Sequence, residues 1–286
     1  MDNAPMKVSL PARAAIEKLV EDALREDIGG GDLTAELTPQ DARARARLFC
    51  RERAVLCGAA WFDEAFRQTD RDVEIAWHFE DGAQLCGGEE PVCEIHGRAR
   101  ALLAAERTAI NLLQTLSGTA TIARRYVEAA GGRARIMDTR KTIPGLRLAQ
   151  KYAAAVGGAH NHRMGLFDQV LLKENHIAAA GSLEDAVRRA RAAAPDGFVE
   201  VEVEDLKQLQ RALDAGAQRV LLDNFSSDQL REAAELARGR AELEASGGIT
   251  LEQVPEIAAT GVDFISIGAL TKHVAAVDFS LRFDGA

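Results

Sequence analysis

The chain is 286 residues long, 47% hydrophobic and 28% charged, with a formal net charge of −9. That length suits one large domain or two ordinary ones, and the acidic overall field argues against nucleic acid as a partner. No apolar run approaches the ~18 residues of a membrane span, and residues 1–7 carry no apolar core of a signal peptide, so a cytoplasmic protein without a membrane partner is expected.

Ser9 or a neighbour can cap a helix over 11–25, where Ile16, Leu19, Val20, Ala23 and Leu24 recur at the helical period. Gly29-Gly30-Gly31-Asp32 ends it. Residues 42–50 alternate small or apolar residues with Arg, as a half-exposed strand does. A helix over 58–67 and strands over 73–79 and 91–96 follow, with Asp81-Gly82 as a turn between the strands. This is an α+β domain. Its cysteines, Cys50, Cys57, Cys86 and Cys93, fall in two C-x6-C spacings that match no zinc site, and they read as reduced core thiols. A helix over 99–116 comes next; Ser117-Gly118 interrupts it, and a second helix runs to about residue 129.

From residue 134 strands and helices alternate. Strands end near Asp138, Lys173, Glu202, Asp223, Ser246 and Gly268. Helices fall at 146–156, 183–193, 206–215, 227–237 and 251–259. Short Val-, Ile- and Leu-rich strands joined by helical crossovers mean a parallel sheet covered by helices. Ala215-Gly216-Ala217 and Thr260-Gly261-Val262 repeat one device, a helix C-cap glycine feeding a buried strand. No G-x-G-x-x-G follows a strand, so the pattern favours a β/α barrel over a dinucleotide-binding sheet. Six strand–helix units rather than eight imply an open barrel. The expected division is 1–115 and 116–273, with the tail 274–286 returning to the first domain as a strand.

Charge is unevenly placed. Residues 133–176 hold 8 Lys/Arg and 3 Asp/Glu, leaving 27 basic against 41 acidic residues elsewhere. Three basic clusters carry this excess: Asp138-Thr139-Arg140-Lys141-Thr142, His160-Asn161-His162-Arg163-Met164-Gly165, and Lys173-Glu174-Asn175-His176. A solvated helix face would space its cations by three or four. These sit at strand ends and turns, where they can focus a small polyanion.

In a β/α barrel the chemistry lies at the C-terminal strand ends. Read in order, these are Thr139-Arg140-Lys141, Lys173, Glu202 and Glu204, Asp223-Asn224, Ser246-Gly247-Gly248, and Gly268-Ala269. Arginine forks bind carboxylates and phosphates bidentately. Carboxylates such as Glu202 and Asp223 suit a Mg²⁺ ion that also holds substrate phosphates. The small residues leave backbone N–H groups free to meet a phosphate. Glu200, Glu202 and Glu204 share one strand parity, so parity alone does not choose among them.

At these residues the chain resembles the quinolinate phosphoribosyltransferase family over nearly its full length. The specific elements are Asp138-Thr139-Arg140-Lys141-Thr142, Asn161-His162-Arg163-Met164-Gly165-Leu166 and Leu172-Lys173-Glu174-Asn175-His176. Gly31-Asp32-Leu33-Thr34 and Glu106-Arg107-Thr108-Ala109-Ile110-Asn111 resemble its earlier motifs. The resemblance implies an N-terminal α/β sandwich domain plus the open six-stranded barrel, in a homodimer with active sites shared across the interface. It implies transfer of phosphoribosyl from phosphoribosyl pyrophosphate to quinolinate with loss of CO2, and a requirement for Mg²⁺. Arg140, His162 and Arg163, joined by Lys141, would grip the quinolinate carboxylates, and Arg107 would come from the neighbouring subunit. Lys141 and Lys173 would neutralise phosphate, Thr139 would bind substrate, and Ser246, Gly247, Gly248, Gly268 and Ala269 would form the phosphate loops. Glu202 and Asp223 would stabilise positive charge at the ribose anomeric carbon, through its hydroxyls or the metal. Two other activities fit a basic barrel pocket: that of a phosphoribosyltransferase-like protein of molybdenum metabolism, and that of a lyase with Lys173 as a Schiff-base nucleophile. A non-catalytic phosphate binder would not need every charged group.

Overall fold

A computed structural model describes residues 8–194 and 197–284, and residues 1–7 lie outside the described part. In chain order the elements are α1 (Arg13–Ile28), β1 (Arg43–Cys50), β2 (Ala54–Val55), α2 (Ala59–Thr69), β3 (Glu74–Trp77), β4 (Gln84–Leu85), β5 (Pro91–Arg98) and α3 (Ala99–Ala130). Then come β6 (Arg135–Met137), α4 (Arg147–Val156), β7 (Val170–Leu172), α5 (Glu174–Ala180), α6 (Leu183–Ala193), β8 (Val199–Val203) and α7 (Leu206–Asp214). The last are β9 (Arg219–Asp223), α8 (Ser227–Ala237), β10 (Glu242–Ser246), α9 (Val254–Ala258), β11 (Phe264–Ser266), α10 (Ala269–Lys272) and β12 (Phe279–Phe283). They form two compact units, one of Met1–Arg124, Ile143–Gly158 and His273–Ala286, the other of Arg125–Thr142 and Ala159–Lys272.

The first unit carries an antiparallel sheet of order β12-β1-β5-β3, with the C-terminal strand paired along β1 from Cys50↔Phe279 to Ala46↔Phe283. Its core gathers Trp61, Phe62 and Phe66 of α2, Leu48 of β1, Ile95 of β5, and Leu102, Leu113 and Leu116 of α3. Helix α1 adds Ile16, Val20 and Leu24, four apart on one face. Its start differs from the expected cap: Ala12 is the N-cap and makes no side-chain bond.

Two further expectations fail here for physical reasons. Helix α4, counted among the barrel crossovers, packs in this unit through Ala149, Tyr152 and Ala153. The Tyr152 ring lies 5.4 Å from Trp61, and its hydroxyl donates to Asp81 Oδ2 at 2.8 Å. Asp81 in turn accepts the Gly58 and Ala59 N–H groups that open α2. The break expected at Ser117-Gly118 is absent, and α3 runs unbroken for 32 residues. Ser117 Oγ accepts the Cys57 N–H and donates to the Cys57 carbonyl, so it does not compete with the helix. Gly118 is there because the chain passes against it: a Cβ would sit 2.1 Å from the Ala275 carbonyl oxygen. Alanine is the better helix former by about 1 kcal/mol, yet Gly118→Ala should destabilise the protein by roughly 1–3 kcal/mol through overpacking. Urea unfolding measures this, and an alanine variant as stable as the parent would contradict the close approach.

The second unit is the barrel. Its sheet is parallel throughout, of order β6-β11-β10-β9-β8-β7. Among the described residues β6 and β7 do not pair with each other, so six strands leave the barrel open, as the count of units implied. Beside β6 a single parallel bridge, Met137↔His160, starts the loop that carries His162 and Arg163. Alternate residues face outward to the helices, as do Val199, Val201 and Val203, all fully buried. Ser182, Asp205 and Ser226 cap α6, α7 and α8 by accepting backbone N–H groups.

Candidate active site

Strand register places the site. Parallel pairing aligns Glu202 with Leu221, and Asp223 with Ser246, so these inward side chains cluster at the C-terminal end of neighbouring strands. At the end of β6, Asp138 is fully buried. Its Oδ1 accepts the His162 N–H at 2.8 Å and its Oδ2 accepts Asn161 Nδ2 at 2.6 Å. Asp138 therefore ties the His162 loop to the strand. Beyond it, Thr139 Oγ1 accepts the Lys141 N–H, and Thr271 Oγ1 of α10 donates to the Lys141 carbonyl. The Lys141 side chain crosses Gly268 so closely that a Cβ there would lie 2.9 Å from Lys141 Cδ and 3.7 Å from Thr139 Oγ1. Thr139, Lys141 and the Gly268-Ala269 turn are thus one neighbourhood.

Arg163 links this edge to the carboxylates. Its Nη1 donates to the Gln169 carbonyl at 3.5 Å. Burial, and then the neighbouring Arg140 cation, hold the Arg163 guanidinium below its ordinary value, while Glu200, Asp168 and Glu202 pull the other way. Arg140 is near enough to Arg163 to oppose its charge, and both are half-buried, a placing that favours an anion beside them.

Beneath Arg163 lies His162, only 8% exposed. Its Nδ1 accepts the Arg163 N–H at 2.7 Å, so this nitrogen carries no proton. Its Nε2 faces Glu200 Oε2 at 3.0 Å and Glu244 Oε1 at 3.6 Å. Glu244 also accepts the Ser266 hydroxyl. Burial and the adjacent Glu200 push the Glu244 carboxyl up to about 8, and burial raises Glu200 as well.

Of the three glutamates on one parity, Glu200 is fully buried with His162. Glu204 is exposed, and Glu202 is 14% exposed in an ion pair with Lys173. Asp223 Oδ2 accepts Asn224 Nδ2 at 2.8 Å. Asn224 takes the left-handed conformation, φ 58°, and its N–H donates to the Ser246 carbonyl. Gly247, φ 108°, has no room for a side chain, since a Cβ would meet Asn224 Oδ1 at 2.2 Å. Around Gly248 a Cβ would meet nothing within 4 Å, so its backbone is open to a ligand. Arg107 stands exposed on α3 in the first unit.

Glu244 and Ser266 are members of this constellation that the sequence reading did not name; Asp138 stood in a basic cluster without a role of its own, and Glu200 was one of three glutamates that parity left open. A signal existed for two of them: Glu200 and Glu244 are charges at inward positions of strands that are otherwise buried.

The fold and this constellation define a β/α-barrel protein with a cluster of cations and carboxylates at its C-terminal strand ends. Comparison with known proteins narrows the class. Residues 32–117 match the family description "Quinolinate phosphoribosyl transferase, N-terminal domain", and residues 119–282 match the corresponding C-terminal domain. The chain is 42% identical to the probable nicotinate-nucleotide pyrophosphorylase [carboxylating] of Bacillus subtilis, over 93% of this chain and 92% of that protein. It is 42% identical to the corresponding protein of Mycobacterium leprae, over 93% and 96%. The solved nicotinate-nucleotide pyrophosphorylase of Francisella tularensis superposes with a TM-score of 0.94 at 43% identity, over 99% of this chain and 100% of that one. This chain belongs to the quinolinate phosphoribosyltransferase family.

Proposed function

We infer that the protein transfers the phosphoribosyl group of phosphoribosyl pyrophosphate to quinolinate with decarboxylation, giving nicotinate mononucleotide, pyrophosphate and CO2 for NAD biosynthesis. The observation that carries this is the pair of half-buried, mutually opposed cations Arg140 and Arg163 at the strand ends, which suits a substrate with two adjacent carboxylates. Lys141 beside Gly268, Lys173 beside Glu202, and the open backbone at Gly248 suit phosphate groups. As pyrophosphate leaves, positive charge grows at the ribose anomeric carbon, and Glu202 and Asp223 stabilise it. Ring-nitrogen attack creates a pyridinium. The electron pair of the breaking bond to the 2-carboxylate stays on C2, stabilised by the adjacent positive ring nitrogen, and a proton from solvent then takes the place of CO2, so no organic cofactor is needed.

Glu202 and Asp223 also fit a Mg²⁺ ion. They are hard oxygen donors, and the one group of three or more metal-type ligands among the described residues excludes both. Two carboxylates suit an ion that keeps waters and takes its other ligands from a diphosphate. When bound, the ion would neutralise charge on the departing pyrophosphate. The protein is read as a cytoplasmic homodimer in which Arg107 completes the partner's site; that reading rests on the resemblance. The Lys173 amine is already engaged by Glu202, which speaks against a Schiff-base lyase.

Release of labelled CO2 from carboxyl-labelled quinolinate, dependent on phosphoribosyl pyrophosphate, tests the reaction; no release from the pure protein overturns it. Asp223→Asn should lower kcat roughly 10²-fold or more, with quinolinate KM changed by less than about threefold. Chelation should stop turnover while leaving the melting temperature of the substrate-free protein unchanged. Full activity in the asparagine variant would remove Asp223 from the site.

A further inference from the structure

Under the mouth of the barrel, Glu200 and Glu244 occupy a layer where apolar side chains would cost less. Both are fully buried. Glu200 Oε2 accepts from Gln169 Nε2 at 3.2 Å and lies 3.0 Å from His162 Nε2. Glu244 Oε1 accepts the Ser266 hydroxyl. The other oxygens, Glu200 Oε1 and Glu244 Oε2, have no hydrogen-bond donor among the described residues, the nearest cation being Arg219 Nη1, 3.7 Å from Glu244 Oε2. One oxygen of each carboxyl lies within 4.8 Å of one of the other and of a His162 ring nitrogen.

The imidazole is then held at both ends. Its Nδ1 accepts the Arg163 N–H at 2.7 Å, so the ring proton sits on Nε2 and is donated to Glu200. The other tautomer would set two N–H groups against each other at Nδ1 and leave two carboxyls without their donor. With both nitrogens spent inside the protein, His162 acts on the pocket through the backbone of Arg163.

We propose that Glu200 is a positioning residue of the quinolinate pocket: backed by Glu244, it locks His162 as the Nε2–H tautomer, and His162 in turn fixes the Arg163 backbone that aims the guanidinium. This rests on the quinolinate reading above. The buried pair is costly to the fold, and an apolar pair of similar volume would be neutral or better for stability. It is retained for orientation.

The nitrogen-15 spectrum of histidine-labelled protein tests the tautomer without any substrate, with His162 assigned by loss of its signals in His162→Gln. The expected result is a protonated Nε2 and an unprotonated Nδ1. A protonated Nδ1 in the parent protein overturns the proposal whatever the activity turns out to be. Glu200→Gln keeps an acceptor oxygen, so the tautomer should persist and quinolinate KM stay within about threefold. The double change Glu200→Leu with Glu244→Leu removes the acceptor without stranding a buried charge and should remain folded. It should give a mixed tautomer and raise quinolinate KM roughly tenfold or more, with phosphoribosyl pyrophosphate KM changed less than about twofold. Equal KM effects on both substrates, or none, would reduce the pair to a structural role. His162 Nε2 and the glutamate oxygens also lie within 4.8 Å of one another, near enough for a shared cation. One equivalent of bound metal in the purified protein, lost in Glu244→Gln, would put an ion where the His162 Nε2 proton is assigned and defeat the proposal. Absence of quinolinate turnover in the parent protein would instead defeat the functional reading and leave the tautomer result standing.

Discussion

Arg163→Ala should yield a folded protein that no longer binds quinolinate at assay concentrations. Arg163 is half-buried, and both its dehydration and the neighbouring Arg140 act against its charge in the empty site. Glu200, Asp168 and Glu202 offset that opposition in part, and an anion in the pocket would relieve the rest. Removing a desolvated, charge-assisted partner costs roughly 2–5 kcal/mol, which is about 30-fold to several-thousand-fold in affinity. The empty protein should not weaken in parallel. Deleting one of two mutually opposed cations relieves repulsion, so its melting temperature should hold or rise, the usual sign of a residue kept for function at the expense of stability. Arg163→Lys should not restore binding, because an ammonium cannot present two parallel donors to a carboxylate. Isothermal titration with quinolinate and a thermal melt decide this together. Undiminished affinity in the alanine variant would remove Arg163 from the pocket, and lost affinity with a collapsed melt would make its role structural.

Much of the barrel was legible because parallel strands are buried on both faces. Their short Val-, Ile- and Leu-rich segments and the glycines before β9 and β11 mark the strands without reference to their partners. The expected ends at Asp138, Lys173, Glu202, Asp223, Ser246 and Gly268 lie within two residues of the observed ones. Long-range packing was not legible. Nothing local at Gly118 says that Ala275 will press on it, so a glycine that serves a close approach reads as a helix break. Helix α4 carries the same small-residue pattern as a crossover, and only Trp61 and Asp81, far away in sequence, assign it to the first unit. In the site, basic clusters at strand ends announce an anion because solvent-facing cations have no packing reason to gather there. The buried carboxyls beneath them show only as charges in otherwise buried strands, which does not say what they face. Parity puts Glu200, Glu202 and Glu204 on one side of β8, but depth separates a buried group against His162, an ion-paired one and an exposed one. Depth depends on how strands are staggered in the closed layer, and the sequence of one strand does not carry that.

Mixing two inactive variants should regenerate activity. The proposal that each site is completed across a two-fold interface assigns Arg107 of one chain to the partner's pocket and Arg140 to its own. Arg107 is exposed on α3, whereas Arg140 follows β6 in the barrel beside Arg163. A two-fold interface is reciprocal, so what one chain lends it also receives. Arg107→Ala and Arg140→Ala should each be inactive as pure dimers, since every site in either lacks one cation. In a heterodimer one site receives Arg107 from the Arg140 variant and keeps its own Arg140, and so is intact. The other site lacks both. Random exchange of equal amounts makes about half the dimers mixed and roughly a quarter of all sites whole, so about a quarter of the parental activity should return. Native mass spectrometry counts the heterodimers in the same sample. If they form and activity stays at the level of the separate variants, Arg107 works within its own chain or takes no part in the reaction; recovery without heterodimers would mean that sites are not shared at all.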